Sequence, residues 1–506
     1  MLQRSWVSKK FPRARDLATL WPTAMCPARC NRPVRPIGSA SVKNNKMDPS
    51  ADAGQFRSQR RATTIREASA GGLGAARPHR DWTGLPDDCL FRCLCGNPRS
   101  RAVCRDFHRV YDSRNATLDL LFHAGDPVRV RDVRRHVVGR TTDLEDLSLD
   151  AHCASAAVDA LTWVSRPDRI RRVAVVAWFG VLSTAPFEAF SRLVHAVLRH
   201  AQAQDISGLR SCTALVTLDL SDNRVEDVSP LAACTRLAKL DLSMNLATDL
   251  SPLSSCAGLL ELDLLGTPVT DLSPLAACTG LIALNMAYTE VSDVYVSALA
   301  AACTRLTRLD MCNTPVTDLS SLAACVGLVD LALDNTRVSD VSKLVSCTGL
   351  LTLTLRGTDV RDVAPLAACT GLTALNLRYA PVSDVSSLAV CTQLERLDLN
   401  STGVSDVSPL AACAGLTTLD MEGTTVVDVS PLTACTGLVN LNLRYAPVFD
   451  ASSLAACANL AYLDIGFTRV TDVSPLAACT GLATLKLDGT CVSDVSSLRD
   501  TITVFL

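Results

Sequence analysis

Thirteen cysteines recur at a nearly constant interval in this chain, and cysteine can bind metal, form disulfides or fill a core. They are Cys212, Cys234, Cys256, Cys278, Cys303, Cys325, Cys347, Cys369, Cys391, Cys413, Cys435, Cys457 and Cys479. The step is 22 residues, with one step of 25. Structural zinc sites pair cysteines roughly two to four residues apart, so this spacing does not favour metal. No secretory signal is visible, so we expect reduced thiols that pack as small apolar side chains.

A carboxylate recurs as regularly as the thiol, in DVSPL or a close variant, from Asp227 to Asp494. A stack of carboxylates could hold cations, but aspartate at such a turn also accepts hydrogen bonds from loop N–H groups. We predict the second role, with no bound ion. All seven histidines precede residue 201, so the repeats lack the base that Ser-His-Asp or Cys-His catalysis needs. We therefore predict no enzymatic activity, no metal site and no cofactor.

The unit that carries these residues reads LxxLxLxxTxVxDVSPLAACTG. Its first two leucines are present in all 13 units, from Leu215 to Leu482 and from Leu218 to Leu485. In LxxLxL the last two apolar positions are two apart, so they face one side of a strand. One such strand cannot bury its leucines alone, and a fixed period of this length predicts units stacked about 4.8 Å apart. Ser-Pro predicts a short 3₁₀ or single helical turn opposite the strand.

This unit resembles the leucine-rich repeat family, in its short 22-residue class, as found in internalins and phosphatase-regulatory repeat proteins. The resemblance implies a right-handed α/β solenoid over residues 211–506, a horseshoe or arc with a parallel concave sheet and short convex turns. The Asn of the family's LxxLxLxxN stands at Asn223 and Asn245 but is mostly Thr elsewhere. Thr can bond fewer loop groups, and Ala380 and Ala446 none, so we expect looser turns at those two alanines.

Residues 115–210 contain degenerate repeats, which we expect to cap the solenoid. Leu147 and Leu149 fit the strand pattern, as do Val173 and Val175 26 residues later. The spacing of apolar residues in 190–198 predicts a helix, and the 25-residue unit also has room for one. Residues 1–80 hold 16 Lys and Arg against 4 Asp and Glu, interrupted by Pro, Gly and Ser. This composition predicts a disordered basic leader.

The concave face is where a solenoid usually binds its partners. In this chain its central column is a stripe of Asp and Asn, with Arg and aromatic residues beside it. The residues that we predict to bind a protein partner are Arg356, Arg378, Tyr379, Asp398, Asp420, Glu422, Arg444, Tyr445 and Phe467. The alternative is a solvated face that was copied with its repeats, since LRYAP occurs twice. Nucleic acid is not expected, because an acidic face repels phosphate, and no segment is expected to bind a membrane.

Residues 82–113, WTGLPDDCLFRCLCGNPRSRAVCRDFHRVYDS, show a helix start and a helix–helix pattern. The segment resembles an F-box: Leu-Pro, an apolar helix, then Val-Cys and an aromatic. The resemblance implies that a Skp-type adaptor would contact Leu85, Pro86, Leu90, Val103, Cys104 and Phe107. The span between Leu-Pro and Val-Cys is shorter than in the family. A small helical cap and a zinc site at Cys89, Cys93, Cys95, Cys104 and His108 are the alternatives, although the cysteine spacing is irregular.

These observations favour a non-catalytic protein-binding scaffold. With the F-box-like segment, it would be a substrate receptor of an SCF-type ubiquitin ligase. The alternative is a regulatory subunit of an enzyme such as a protein phosphatase. The lack of a secretory signal predicts an intracellular location, in cytoplasm or nucleus.

Overall fold

The computed structural model describes residues 107–112, 117–122, 145–162 and 164–505. The chain divides into units Met1–Phe91 and Arg92–Leu506, and all described residues lie in the second. The predictions for the leader and for most of the F-box-like segment, including Leu85, Pro86, Leu90, Val103 and Cys104, lie outside the described residues.

Nineteen strands of the described residues form one sheet. They are β1 Phe107–Asp112, β2 Thr117–Phe122, β3 Asp146–Cys153, β4 Arg172–Phe179, β5 His195–Arg199, β6 Thr217–Asp219, β7 Lys239–Asp241, β8 Glu261–Asp263, β9 Ala283–Asn285, β10 Arg308–Asp310, β11 Asp330–Ala332, β12 Thr352–Thr354, β13 Ala374–Asn376, β14 Arg396–Asp398, β15 Thr418–Asp420, β16 Asn440–Asn442, β17 Tyr462–Asp464, β18 Thr484–Lys486 and β19 Thr503–Phe505. β1 pairs antiparallel with β2, and from β2 onward each strand pairs in parallel with the next.

The leucine columns set the register of this sheet. Leu331 lies opposite Leu353, and the same leucine-to-leucine match continues through β6 to β18. The central leucine of each of these strands is buried, while its two neighbours are partly exposed in nearly every strand. A one-residue slip would turn these leucines to water, so the alternation specifies both the pairing and the face that is buried. The predicted leucine spine is confirmed.

Short 3₁₀ turns return the chain on the opposite side from the sheet. They span Pro167–Arg169, Ala185–Ala189, Ser207–Ser211, Ser229–Ala233, Ser251–Ser255, Ser273–Ala277, Ser320–Ala324, Ser342–Ser346, Ala364–Ala368, Ser386–Val390, Ser408–Ala412, Ser430–Ala434, Ser452–Ala456 and Ser474–Ala478. Proline occupies the start of several, where its missing N–H is not needed. Two α-helices are described, α1 Ala154–Thr162 and α2 Asp293–Ala302. α2 lies in the 25-residue unit, as its extra length predicts.

We name the thirteen nearly evenly spaced cysteines, Cys212 to Cys479, the ladder cysteines. Each is buried and follows directly on a 3₁₀ turn or, at Cys303, on helix α2. From Cys234 to Cys457, the Sγ atom donates to the carbonyl oxygen of the preceding ladder cysteine at 3.4 to 3.9 Å. Burial raises the pKa of the Cys212 thiol to about 12 and that of Cys234 to about 11. A group of three or more His, Cys, Asp or Glu that could hold a metal ion is absent from the described residues. The interpretation of the thiols as core side chains is confirmed.

The recurring aspartates from Asp227 to Asp494, which we name the aspartate column, accept hydrogen bonds from the loop backbone, as predicted. Asp227 Oδ1 accepts from the Ser229 N–H at 2.7 Å, and the aspartates of eleven other units likewise accept from the N–H two residues on. This backbone bond lowers the pKa of the Asp227 carboxyl. The exception is Asp293, at the start of α2, whose carboxylate accepts from the Thr317 N–H in the next unit at 2.8 Å.

The Asn-to-Thr change has the predicted effect on hydrogen bonding. The Asn223 side chain accepts from the Ala201 and Ala203 N–H groups and donates to backbone carbonyls that include Leu198 and Leu220. A threonine at this position only donates its hydroxyl to the carbonyl three residues earlier, as in Thr336 to Leu333 at 2.7 Å.

The turns at Ala380 and Ala446 keep the backbone bond of their neighbours. The Ala380 N–H donates to the Leu377 carbonyl at 2.9 Å, and the Ala446 N–H donates to Leu443 at 3.0 Å. Both alanines are buried. The expected loosening at these two turns is therefore wrong, because the backbone bond and burial do not need the threonine hydroxyl.

Two helix predictions are wrong in the described residues. Phe107–Asp112 is strand β1, not the end of a helical segment, because it pairs as a hairpin with Thr117–Phe122. The stretch 190–198 ends in strand β5, because Leu193, Ala196 and Leu198 repeat LxxLxL with all three side chains buried. The apolar residues of this further degenerate repeat also happen to lie at helical spacing, which is why the pattern was misleading.

Candidate functional site

A left-handed backbone position follows every strand from β6 to β18, four residues after its central leucine. We name these thirteen positions the left-handed column: Asp222, Met244, Gly266, Tyr288, Asn313, Asn335, Gly357, Tyr379, Ser401, Gly423, Tyr445, Phe467 and Gly489, all with φ between 55° and 67°. The Tyr379 N–H donates to the Asn400 carbonyl of the next unit at 2.9 Å, and the Phe467 N–H donates to Asp488 at 2.7 Å. This inter-repeat bond holds the conformation in place.

Four bulky aromatic side chains occupy this column, at Tyr288, Tyr379, Tyr445 and Phe467. Left-handed backbone costs a residue with a Cβ about 1–2 kcal/mol, and glycine fills the same position in four other units. The rings gain little burial in return, since they are 46 to 53% exposed. These four units therefore display an aromatic ring to solvent at a conformational cost.

Arg444 packs against two of these rings, Tyr445 and Phe467. Its guanidinium carbon lies 5.0 Å from the Tyr445 ring centroid and 4.7 Å from that of Phe467. Arg444 also pairs with Asp488 at 3.2 Å and with Asp464 at 3.8 Å. These five residues are the Arg444 cluster. Two carboxylates hold its arginine in place, and its two rings remain about half exposed to solvent.

Glycines make room for the Arg444 cluster. A Cβ at Gly466 would lie 2.8 Å from Arg444 Nη1, and one at Gly489 would lie 2.7 Å from the Phe467 ring. Both distances are shorter than van der Waals contact. The sequence around Phe467 therefore has small residues where the arginine and the ring need space.

Tyr379 lies within a second cluster of arginines. Arg378 and Arg356 place their guanidinium carbons 4.9 and 5.7 Å from the Tyr379 ring centroid, and Arg378 Nη2 donates to the tyrosine oxygen at 3.0 Å. Neither arginine has a carboxylate oxygen within 4 Å among the described residues. Arg378 Nε is shielded from water and has no hydrogen-bond partner there. We name Arg356, Arg378 and Tyr379 the Tyr379 cluster.

Carboxylates separate the two clusters and contact the backbone. Asp398 Oδ1 accepts from the Asn400 N–H at 2.9 Å, and Asp420 Oδ1 accepts from the Glu422 N–H at 3.0 Å. Burial raises the pKa of Asp398, and the neighbouring Asp420 charge adds to the effect. Glu422 Oε2 accepts from the side-chain amides of Asn400 and Asn442 at 3.2 and 3.1 Å. These carboxylates therefore stabilise the concave face through hydrogen bonds and also give it negative charge.

Proteins of known sequence or structure share this repeat architecture. A family model described as leucine-rich repeats in two copies matches residues 204–255. An internalin of Listeria monocytogenes has 26% sequence identity and a TM-score of 0.51, with 64% of this chain and 89% of that chain covered. A leucine-rich repeat protein of Leptospira interrogans has 16% identity and a TM-score of 0.60, with 73% and 92% covered. The fold is a leucine-rich repeat solenoid.

A plant receptor also has a similar fold. The plant peptide hormone receptor RGFR1, solved in complex with RGF2, has 16% identity and a TM-score of 0.52, with 73% of this chain and 71% of that chain covered. A search of curated proteins finds no match. Among the described residues, the solenoid has no helix that is both apolar enough and long enough to cross a bilayer.

The solenoid places the nine predicted binding residues on neighbouring repeats but not in one cluster. Tyr379 and Tyr445 are three repeats apart, a separation of about 14 Å at the strand spacing. The nine predicted residues omit four that contact the Arg444 cluster or belong to it: Tyr462, Asp464, Lys486 and Asp488. The Tyr462 hydroxyl donates to Asp464 at 3.3 Å, and Lys486 lies 5.2 Å from its ring. Tyr462 precedes the central leucine of β17, so the strand alternation alone places it on the concave side.

Proposed function

We propose that this solenoid is a protein-binding scaffold whose docking site includes the Arg444 and Tyr379 clusters. The observation that carries the proposal is the set of half-exposed aromatic rings on left-handed backbone. Strained conformations persist where the surrounding structure holds them, and they concentrate at functional sites. A copied, inert face would have no reason to keep a large ring where glycine fits.

The chemistry of the two clusters suits a protein surface. Arginine and tyrosine are enriched among the residues that dominate binding free energy, since each combines a large apolar area with directional hydrogen bonds. The Arg444 guanidinium is already oriented by Asp464 and Asp488, so little side-chain entropy would be lost on binding. We infer that the Arg444 cluster is the stronger anchor.

Site-specific photocrosslinking tests this proposal. A benzophenone side chain at Tyr379 or Tyr445 should capture one protein in cells, and the same group at Val390 should not. Val390 is a fair control because it is 48% exposed but lies in the 3₁₀ turn Ser386–Val390. Equal capture at all three positions would refute a docking site on this face.

The captured protein then allows a quantitative test. With purified partner, Arg444→Ala should weaken binding by about 2 kcal/mol or more, as expected for a dominant contact residue. Arg361→Ala, at another exposed arginine, should change the affinity little. The same loss in both variants would indicate a general charge effect.

A finer part of the proposal is that the scaffold is a substrate receptor of an SCF-type ubiquitin ligase. It is supported only by the F-box-like sequence between Leu85 and Phe107. Copurification of a Skp-type adaptor with the full chain, lost in Leu85→Ala with Pro86→Ala, would support it. Copurified phosphatase activity without adaptor would favour the regulatory-subunit alternative instead. An intracellular location belongs to this proposal, because the thirteen ladder thiols are unpaired.

A further inference from the structure

A separate groove lies on the concave face, over strands β5 to β12, before the Tyr379 cluster in the sequence. Its volume is about 690 Å³. Its walls include Asp241, Asp263, Asp310 and Asp330, with apolar residues such as Leu240 between them. We name this the acidic groove. None of the nine residues predicted to bind a partner lines it.

Other carboxylates of the groove have cationic partners. Asp219 pairs with Arg199, and Glu261 pairs with Lys239 at 2.9 Å and with Arg308 at 3.5 Å. These pairs use the cations that line the groove.

The four carboxylates that define the groove are not balanced in this way. Asp241, Asp263, Asp310 and Asp330 have no Lys, Arg or His nitrogen within 4 Å among the described residues. Asp241 lies directly opposite Asp263 in the parallel ladder, so their charges are about 5 Å apart in the strand register. The groove therefore concentrates negative charge.

The backbone holds these carboxylates in place. Oδ1 of Asp241, Asp263 and Asp310 accepts from the N–H two residues on, at 2.9 to 3.0 Å. Burial raises the pKa of Asp263, and the charges of Asp241 and Asp310 add to the effect. A cation placed in the groove would offset both costs.

A hydroxyl at the far end of the groove also lacks a partner. Thr354 Oγ1 is shielded from water and has no hydrogen-bond partner among the described residues. It lines the groove in the last strand before the Tyr379 cluster. A ligand group that bonded it would remove the cost of an unsatisfied polar atom.

We propose that the acidic groove binds an extended basic segment of a partner protein. The inference deepens the proposed scaffold function and rests on it. The carboxylates are spread over strands β7 to β11, a span of about 19 Å that about six extended residues cover. They do not converge as metal ligands do. Arg356 and Arg378, which have no carboxylate oxygen within 4 Å among the described residues, follow at the far end, so they would repel further basic residues and set where the segment stops.

The test uses the full chain and a fluorescein-labelled peptide of about eight residues that alternates Arg and Ala. Fluorescence anisotropy should show binding that weakens with salt and is absent for the matching Glu and Ala peptide. Changing Asp241, Asp263 and Asp310 together to Asn should weaken binding about tenfold or more. An amide keeps the Oδ1 acceptor, so the fold should persist, and circular dichroism checks this.

The matched control changes Asp406, Asp428 and Asp450 together to Asn, which removes the same charge from the loops that precede the turns. This control should bind the peptide as the original chain does. Equal losses in both triple variants, or equal binding of the two peptides, would overturn the assignment to the groove.

Occupation by the chain's own basic leader is a different outcome. Changing Arg57, Arg60 and Arg61 to Ala in the full chain would then tighten peptide binding, and this result would overturn the assignment to a partner. The anisotropy result is independent of crosslinking at Tyr379 and Tyr445. A failed peptide test with intact crosslinking would remove the groove assignment and leave the scaffold function standing.

Discussion

The ring of Tyr445 stacks on the ring of Phe467, with centroids 4.8 Å apart and planes inclined by 22°. The two residues belong to the same left-handed column in consecutive repeats, which is why the rings meet face to face. Because the repeat spacing fixes this distance, aromatic residues in adjacent units of the column form a continuous apolar strip. The Arg444 guanidinium covers one end of that strip.

Asp464 should be the residue on which the Arg444 cluster depends most. It is buried at 3% exposure and contacts Arg444, Lys486 and Tyr462, whereas Asp488 is partly exposed. We expect Asp464→Ala to cost about 1–3 kcal/mol of unfolding free energy, because two partly buried cations, Arg444 and Lys486, lose their acceptor. Asp488→Ala should cost less than about 1 kcal/mol. Urea unfolding measures both, and equal costs would contradict the network described here.

Tyr288 offers the cleanest test of strain in the left-handed column, since it is 53% exposed at φ 59°. Tyr288→Gly should leave the free energy of unfolding unchanged or raise it by up to about 1 kcal/mol, and thermal melts should show this as an equal or higher melting temperature. Tyr288→Ala keeps the Cβ, so it keeps the backbone strain and should not stabilise the protein. If alanine were the more stabilising of the two, backbone strain would not be the reason.

Asn223 should matter more to stability than a threonine at the same position of another repeat. Removing its side chain leaves the buried Ala201 and Ala203 N–H groups without a partner. We expect Asn223→Ala to cost about 2–3 kcal/mol and Thr336→Ala about 1 kcal/mol. Chemical denaturation of the two variants gives the comparison, and a reversed order would disprove this account of the column.

Asp263 should make stability depend on pH in a direction set by its raised pKa. The folded state holds the proton more tightly than the unfolded state, so this group's contribution to stability falls as pH rises through the window between the two pKa values. Asp263→Asn should therefore be as stable as the original chain or more so near neutral pH. The difference should disappear in acid, below both pKa values. Thermal melts across pH measure this, and a variant that is less stable at neutral pH contradicts it.

The ladder thiols should be inert in the folded protein. Burial raises their pKa, to about 11 for Cys347's neighbours Cys325 and Cys369, so little thiolate forms near neutral pH. Cys491 is exposed. Iodoacetamide labelling followed by peptide mass spectrometry should modify Cys491 rapidly and the ladder cysteines only after denaturant is added. Rapid modification of Cys347 in the native protein would show that the spine opens.

The sequence predicted the solenoid well because its evidence is periodic. Thirteen copies of one pattern average out local exceptions, so the leucine spine, the 3₁₀ turns and the helix of the long unit all agree with the structure. The same reasoning failed at residues 190–198, where Ala196 replaces the central leucine of LxxLxL and hides the repeat. There, helical spacing and strand alternation fit the same few apolar residues.

The candidate site was harder to predict than the fold. Tyr379 and Tyr445 stood out by residue type. Their left-handed backbone could not be predicted, because tyrosine rarely adopts that conformation and nothing in the residue itself indicates it. The acidic groove was visible only as a stripe of carboxylates. Which of them are paired depends on Lys239 and Arg308, whose reach across strands a linear pattern does not contain.

Helix α2 has a consequence for how the chain finds its fold. Twelve of the thirteen repeats have nearly the same length and pattern, so two units that are not neighbours in the sequence could also stack and bury their leucines. The Asp293 carboxylate reaches forward to the Thr317 N–H of the next unit, a contact with no equivalent elsewhere in the aspartate column. The long unit therefore favours the correct order of stacking, because only the unit that follows it in the sequence supplies the Thr317 N–H that its Asp293 carboxylate binds.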